Sequence, residues 1–151
     1  MKMRLPLEIA ENRVVLNAVI ESKRLRIAHR FARFVFDTGS PYSFLSEKEV
    51  LRLQIPIKCR VIAGEVDFGG SRFSRVYLPP VTLHLLQEDK IRYVSFDVHL
   101  KALKTMKQSL EKRRTAQSLP SVLGMDFLTE QKLSLHLFSS EKIAYLEFES
   151  L

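Results

Sequence analysis

Apolar residues recur at every second position over much of the chain, a spacing that puts one face of each run in a core and the other in water. Val14, Leu16, Ala18 and Ile20 alternate in this way. So do Val81, Leu83 and Leu85, then Val94, Phe96 and Val98, then Leu133, Leu135 and Leu137. Polar four-residue stretches, Gln87-Glu88-Asp89-Lys90 and Ser139-Ser140-Glu141-Lys142, lie between such runs and have the length of hairpin loops. The pattern predicts a mostly β chain, a meander of antiparallel hairpins.

Three segments break the two-residue period. Ser46-Glu47-Lys48-Glu49 has the form of a capping box, with Leu45 and Val50 placed for a hydrophobic staple, so a short helix is predicted from there to about Leu53. Between Leu100 and Arg114, the spacing of Leu100, Leu103, Met106 and Leu110 predicts a helix with one apolar and one basic face, part of an insertion over about 100–118. Met125 to Gln131 is the third helical run.

Composition narrows the class without choosing a function. The 151 residues are 46% hydrophobic and 27% charged, with ten Phe and no Trp, which suits one domain spanning 1–151. No apolar stretch approaches the ~20 residues that cross a bilayer, and the N-terminal run has no signal-peptide core. A cytoplasmic location is the expectation. The lone Cys59 cannot form an internal disulfide and reads as a buried strand side chain. His29, His84, His99 and His136 fall at no metal-ligand spacing, so neither a metal nor a cofactor is expected, and surface histidines are the default.

One residue is out of place in this pattern. Phe34-Val35-Phe36 is an apolar strand end that runs directly into Asp37-Thr38-Gly39-Ser40, and a carboxylate at such a position asks for a chemical reason. An ordinary turn also suits Asp-Thr-Gly. Far downstream, however, Val122-Leu123-Gly124 gives two apolar residues and a glycine, followed by the run from Met125 to Gln131 and an alternating strand. Together these segments, from about Val14 to Phe138, resemble the retropepsin-like, single-lobe branch of the aspartic peptidases. In that family an Asp-Thr/Ser-Gly turn supplies the catalytic carboxylate and a later apolar-apolar-Gly segment packs behind it.

The resemblance implies a closed barrel or meander of antiparallel hairpins with short helices, and an active site formed at a homodimer interface. The chain carries one Asp-Thr-Gly turn, and the chemistry requires two carboxylates sharing a proton, so each protomer would supply one Asp37. The implied activity is that of an aspartic endopeptidase acting on a peptide or protein substrate. Thr38 would join its dimer mate in a hydrogen-bond bridge. Gly39 would let substrate backbone approach. A Ser40 hydroxyl aimed at the pair would stabilise its ionised form and draw activity towards acidic pH. Val122, Leu123 and Gly124 would support the site from behind. Pro41 departs from the family, where an acidic substrate-binding residue commonly follows.

The family also closes its cleft with a glycine-tipped hairpin. Gly69-Gly70, between two strand-like runs over Val61 to Phe73, is the candidate tip, and an ordinary surface turn fits the same residues. The terminal runs Lys132 to Phe138 and Ile143 to Phe148, with Arg4 to Ile9, are expected to form intermolecular strands. The formal net charge of +7 and the basic face of 100–114 suit an acidic partner. The basic residues lack aromatic interleaving, which disfavours nucleic acid, and a membrane surface is likewise disfavoured. The alternative from another class is a weakly active or inactive module of the same fold that binds peptides without cleaving them.

Overall fold

The apolar run that ends at Asp37 closes a set of three long strands, β1 (Lys2–Ala10), β2 (Arg13–Ser22) and β3 (Ile27–Phe36). The computed structural model describes residues 1–58, 60–106 and 110–149. The turn between β1 and β2 uses Glu11 and Asn12 at φ of 52° and 61°, the left-handed pair that a two-residue hairpin loop needs to match strand twist. There follow β4 (Phe44–Leu45), α1 (Glu47–Arg52), β5 (Ile62–Phe68), β6 (Ser71–Tyr77), β7 (Val81–Leu86) and β8 (Tyr93–Val98). The rest of the chain forms β9 (Lys101–Thr105), α2 (Leu110–Gln117), β10 (Ser121–Leu123), α3 (Met125–Glu130), β11 (Ser134–Phe138) and β12 (Ile143–Glu149).

The strands join in the order β11-β12-β1-β2-β3-β10-β4-β9-β6-β5, and β7 pairs with β2 and β8. The barrel is not closed. Among the described residues no ladder joins β11 to β5, and β5 carries Glu65, Asp67 and a register shift between Ile62 and Gly64, features that blunt an edge against further pairing. Nor is the sheet a pure antiparallel meander, because β10 runs parallel to β3 and β9 parallel to β4. Both parallel pairs join segments far apart in the chain, as parallel pairing requires.

The segment from Leu100 to Arg114 also differs from expectation. Its first part is strand β9, whose Ala102 and Leu103 are fully buried in ladders with β6 and β4. The described helix of this segment is α2, Leu110–Gln117. A three-residue spacing of leucines cannot separate a helix face from a strand covered on both sides, and here the sheet partners decide. Residues 107–109 of the basic run and Cys59 lie outside the described residues. On α2 the basic side chains Lys112, Arg113 and Arg114 are exposed, while Ala116 is buried.

The terminal strands pair with one another inside the chain. Lys2 to Leu7 of β1 face Glu149 to Ala144 of β12, and β12 also pairs with β11. The ladder partners of β1 and β12 thus come from the same chain, and the outer side of β11 is left as the edge of this group. Among the described residues no helix is long and apolar enough to cross a membrane.

The main core lies between β2, β3, β7, β8 and α3. Phe127 of α3 is 1% exposed and sits between Phe36 (ring centroids 6.1 Å apart) and Phe96 (6.0 Å). A smaller cluster of Phe44, Phe73, Leu103, Ala116 and Val122 packs beneath the β5–β6 hairpin. Helix α1 is capped as expected on one side: Ser46 Oγ accepts from the Glu49 amide at 3.3 Å. Glu49 does not return the bond. It pairs with Arg52, and the Ser46 amide donates instead to Ser121 Oγ at 2.9 Å.

Two outcomes follow from this packing. Phe127→Ala should cost about 3–5 kcal/mol in urea unfolding, since it removes a buried ring packed against Phe36 and Phe96; a loss below about 1 kcal/mol would contradict the packing described. In the β7–β8 loop, Asp89 accepts from the amides of Arg92 and Ile91, each at 2.9 Å, and from the Arg92 guanidinium. These bonds lower its pKa to about 2. The folded value lies below the unfolded one, so the loop's contribution is intact above about pH 4 and is lost as pH falls towards 2. An NMR titration giving Asp89 an ordinary carboxyl midpoint would refute the loop geometry.

Candidate active site

The Asp37 turn owes its shape to a strand that passes through it. β10 lies between β3, to which it is parallel (Leu123 beside Phe36), and β4, to which it is antiparallel (Val122 beside Phe44). The chain therefore leaves β3, arches over the end of β10, and returns as β4 on the other side. Asp37 is the first residue of that arch. Its amide donates to Leu123 O at 3.1 Å, and the turn closes with the Ser40 amide on Asp37 O at 3.0 Å.

Glycine is required where the arch meets β10. A Cβ on Gly124 would fall inside contact distance of Ser40 O and lie 2.5 Å from Tyr42 O. With only hydrogen there, the amides of Met125 and Asp126 reach Ser40 O (2.8 Å) and Pro41 O (3.3 Å). The contact is reciprocal, because the Asp126 carboxylate accepts from the Ser43 amide at 3.0 Å and from Ser43 Oγ at 2.5 Å. Ser43 Oγ in turn accepts from the Gly124 amide at 2.9 Å. Ser43 is 1% exposed, so this network is shielded from competing water.

The Asp37 carboxylate is half-buried, and its Oδ1 accepts from the Gly39 amide at 2.9 Å. A methyl on Gly39 would press the same oxygen at 3.1 Å. Thr38 is exposed, and its hydroxyl makes no hydrogen bond among the described residues. The Ser40 hydroxyl does not point to Asp37 as expected. It donates its one proton to Tyr42 O at 2.8 Å, so Ser40 supports the turn through its backbone and this local bond.

The β5–β6 hairpin covers the turn. A cleft of about 230 Å³ is bounded by Asp37, Gly39 and Ser40 on one side and by Val66 and Phe68 of β5 on the other. Phe68 packs edge-on against Phe44, 5.0 Å between centroids. The tip is Gly69-Gly70, at φ of 59° and 81°, between the paired Phe68 and Ser71. Glycine adopts both angles without strain. Gly69 leans on Leu119, whose Cδ2 lies 2.5 Å from where a Cβ would be, and Ser71 Oγ donates to Lys112 O at 3.2 Å. The hairpin thus rests on α2 and the segment after it.

The sequence-predicted residues Asp37, Thr38, Gly39, Ser40, Val122, Leu123 and Gly124 come together in one place. Four others escaped the sequence reading. Ser43 and Asp126 form the partly buried clasp. Tyr42 and Arg75 line the same cleft, with the Arg75 guanidinium 4.6 Å above the Tyr42 ring and its Nε buried without a hydrogen-bond partner. No spacing in the sequence marks these four, because each is paired with a residue distant in the chain.

This arrangement of strands can be compared with known proteins. No family model matches the chain, and no curated protein matches it. Among solved structures, it is similar to a retropepsin-like aspartic protease from Rickettsia conorii, with a TM-score of 0.58 over 98% of this chain and 93% of that one. The fold is retropepsin-like. Sequence identity over that match is 11%, so the likeness concerns the path of the chain.

Gly124→Ala should be among the least tolerated small substitutions in the chain. Its methyl meets backbone carbonyls that cannot swing aside, and a loss of about 1–3 kcal/mol or more is expected. Hydrogen exchange localises the effect: the Met125 amide should lose protection first. Unchanged exchange at Met125 would show that the clasp does not depend on this glycine.

Proposed function

We propose that this protein is an aspartic endopeptidase that acts as a homodimer, with one Asp37 from each protomer. The observation that carries this reading is the placement of Asp37: a half-buried carboxylate at a strand end, on a turn braced by β10 and facing a cleft under a glycine-tipped hairpin. Two carboxylates brought within ~3 Å hold one proton between them, because both cannot ionise at that distance. The ionised member takes a proton from water, and the protonated one donates to the scissile carbonyl.

The other residues fit this role. Thr38 is exposed and its hydroxyl makes no hydrogen bond among the described residues, so it is available to its counterpart in a second protomer. Gly39 leaves room for substrate backbone beside Asp37. The Gly39 amide gives Asp37 Oδ1 a fixed direction. Val66 and Phe68 offer apolar walls for substrate side chains, and Gly69 and Gly70 form the tip of the covering hairpin.

One observation favours a second reading, a peptide-binding module of the same fold that does not turn over. The hairpin already rests on its own chain, through Gly69 on Leu119 and Ser71 on the Lys112 carbonyl. A cover held in that way would grip a peptide without opening and closing.

Asp37→Asn separates the two readings without disturbing the turn, because an amide oxygen can still accept from the Gly39 amide. Cleavage of a peptide library should vanish while peptide binding and the folded state persist, and mixed dimers with one mutant protomer should also be inactive. Activity should fall with about the square of protomer concentration on dilution below the dimer dissociation constant. Wild-type turnover by Asp37→Asn would end the catalytic proposal. A wild-type protein that binds peptides and never cleaves them would establish the module.

A further inference from the structure

At the end of β3 remote from Asp37, the sheet brings together three side chains that the sequence keeps apart. β2 lies between β3 and β7. Glu21 of β2, His29 of β3 and His84 of β7 present ligand atoms that all lie within 4.8 Å of one another. His29 reaches this position through a local irregularity. The β2–β3 register shifts between Ile20 and Ser22, and His29 adopts φ of 35°, which is rare for a residue with a side chain. Bulges of this kind re-aim a side chain.

His84 supplies the second indication. Its Nδ1 is 2.6 Å from Ser95 Oγ on β8, while its Nε2 is buried with no hydrogen-bond partner. That nitrogen faces Glu21 Oε2 at 3.6 Å, and His29 Nε2 approaches the same oxygen more closely. When Nδ1 donates to Ser95, Nε2 carries a lone pair. In that tautomer the lone pair faces a carboxylate, an arrangement that a cation between them would relieve. Metal-bound histidines are commonly held in this way, with the second ring nitrogen fixed by a neighbouring group.

We propose that Glu21, His29 and His84 form a binding site for a divalent transition metal, with zinc as the best fit. Two imidazoles and one carboxylate suit zinc, and ligand bonds of about 2.0–2.2 Å place tetrahedral donors roughly 3.3–3.6 Å apart. The 3.6 Å between His84 and Glu21 already fits such an edge. His29 has to withdraw from Glu21 by roughly 1 Å to reach the same geometry, and its side chain is 71% exposed and free to do so. An open hollow beside Glu21 and His29, also lined by Lys23 and Arg26, gives access from solvent and room for water as the fourth ligand. Asp37 lies eight residues along from His29, about 26 Å of extended strand, so the metal would clamp β3, β2 and β7 and take no part in hydrolysis.

The test is calorimetric titration of zinc chloride into the metal-free full-length chain carrying Cys59→Ser, which removes the thiol as a rival ligand. One equivalent should bind, and zinc should raise the melting temperature. His29→Asn is the informative variant, because Asn tolerates positive φ and the site is exposed. It and Glu21→Gln should each weaken binding at least tenfold, and Ser95→Ala, which acts only through the His84 ring, by about 10–100-fold. His136→Ala, on edge strand β11 and outside the cluster, should bind as wild type. Absence of saturable zinc binding below millimolar concentration would overturn the proposal. So would wild-type affinity in His29→Asn and Glu21→Gln.

Discussion

The insertion of β10 between β3 and β4 is the constraint on which the rest of the molecule depends. Three residues of strand, Ser121 to Leu123, are all buried and join two parts of the sheet that no other ladder links among the described residues. The Asp37 turn exists because the chain must arch over that strand, and α3 begins where it does because Gly124 ends it against the arch. Backbone amides then meet backbone carbonyls in both directions across the junction. The partly buried Ser43–Asp126 pair adds a charge-assisted bond.

Such a junction rigidifies Asp37 without using its side chain for structure. Of its polar atoms, the amide is bonded to β10 and the carbonyl to Ser40, while the carboxylate has a single bond to the Gly39 amide. Asp37 itself lines the cleft. A fixed backbone with an underused side chain is what a reactive group needs, since the cost of ordering it is met during folding.

How much of this was legible in the sequence follows from the range of each interaction. Strands with clear alternation, such as Val81 to Leu85, were readable because the period is local and one face is buried. Ser46 was readable as a cap for the same reason. The Asp37 turn and Val122-Leu123-Gly124 were visible as two motifs, although nothing in either states that one passes through the other. Lys101 to Thr105 was misread because Leu100 and Leu103 satisfy helical spacing, while the ladders that bury Ala102 and Leu103 come from β4 and β6. The Ser40 hydroxyl was assigned to Asp37 on chemistry alone, and Tyr42 O, two residues away, is the acceptor that wins. Ser43 with Asp126, and Glu21 with His29 and His84, were not legible, because the partners meet only through sheet order.

The pairing of β1 with β12 bears on how the chain acquires its fold. Lys2 faces Glu149, so the first strand gains a ladder along its outer side only when the last strand is in place. β10 likewise meets β3 after most of the chain has been made. Contacts so distant in sequence carry the loop-closure cost before any gain arrives, and they slow folding relative to a chain of local hairpins. During synthesis on the ribosome, β1 and β2 can pair at once, yet the Asp37 arch has no strand to span until Leu123 has emerged. A nascent chain halted before that point would carry the Asp-Thr-Gly segment with nothing to shape it, so any activity would be confined to the finished protein.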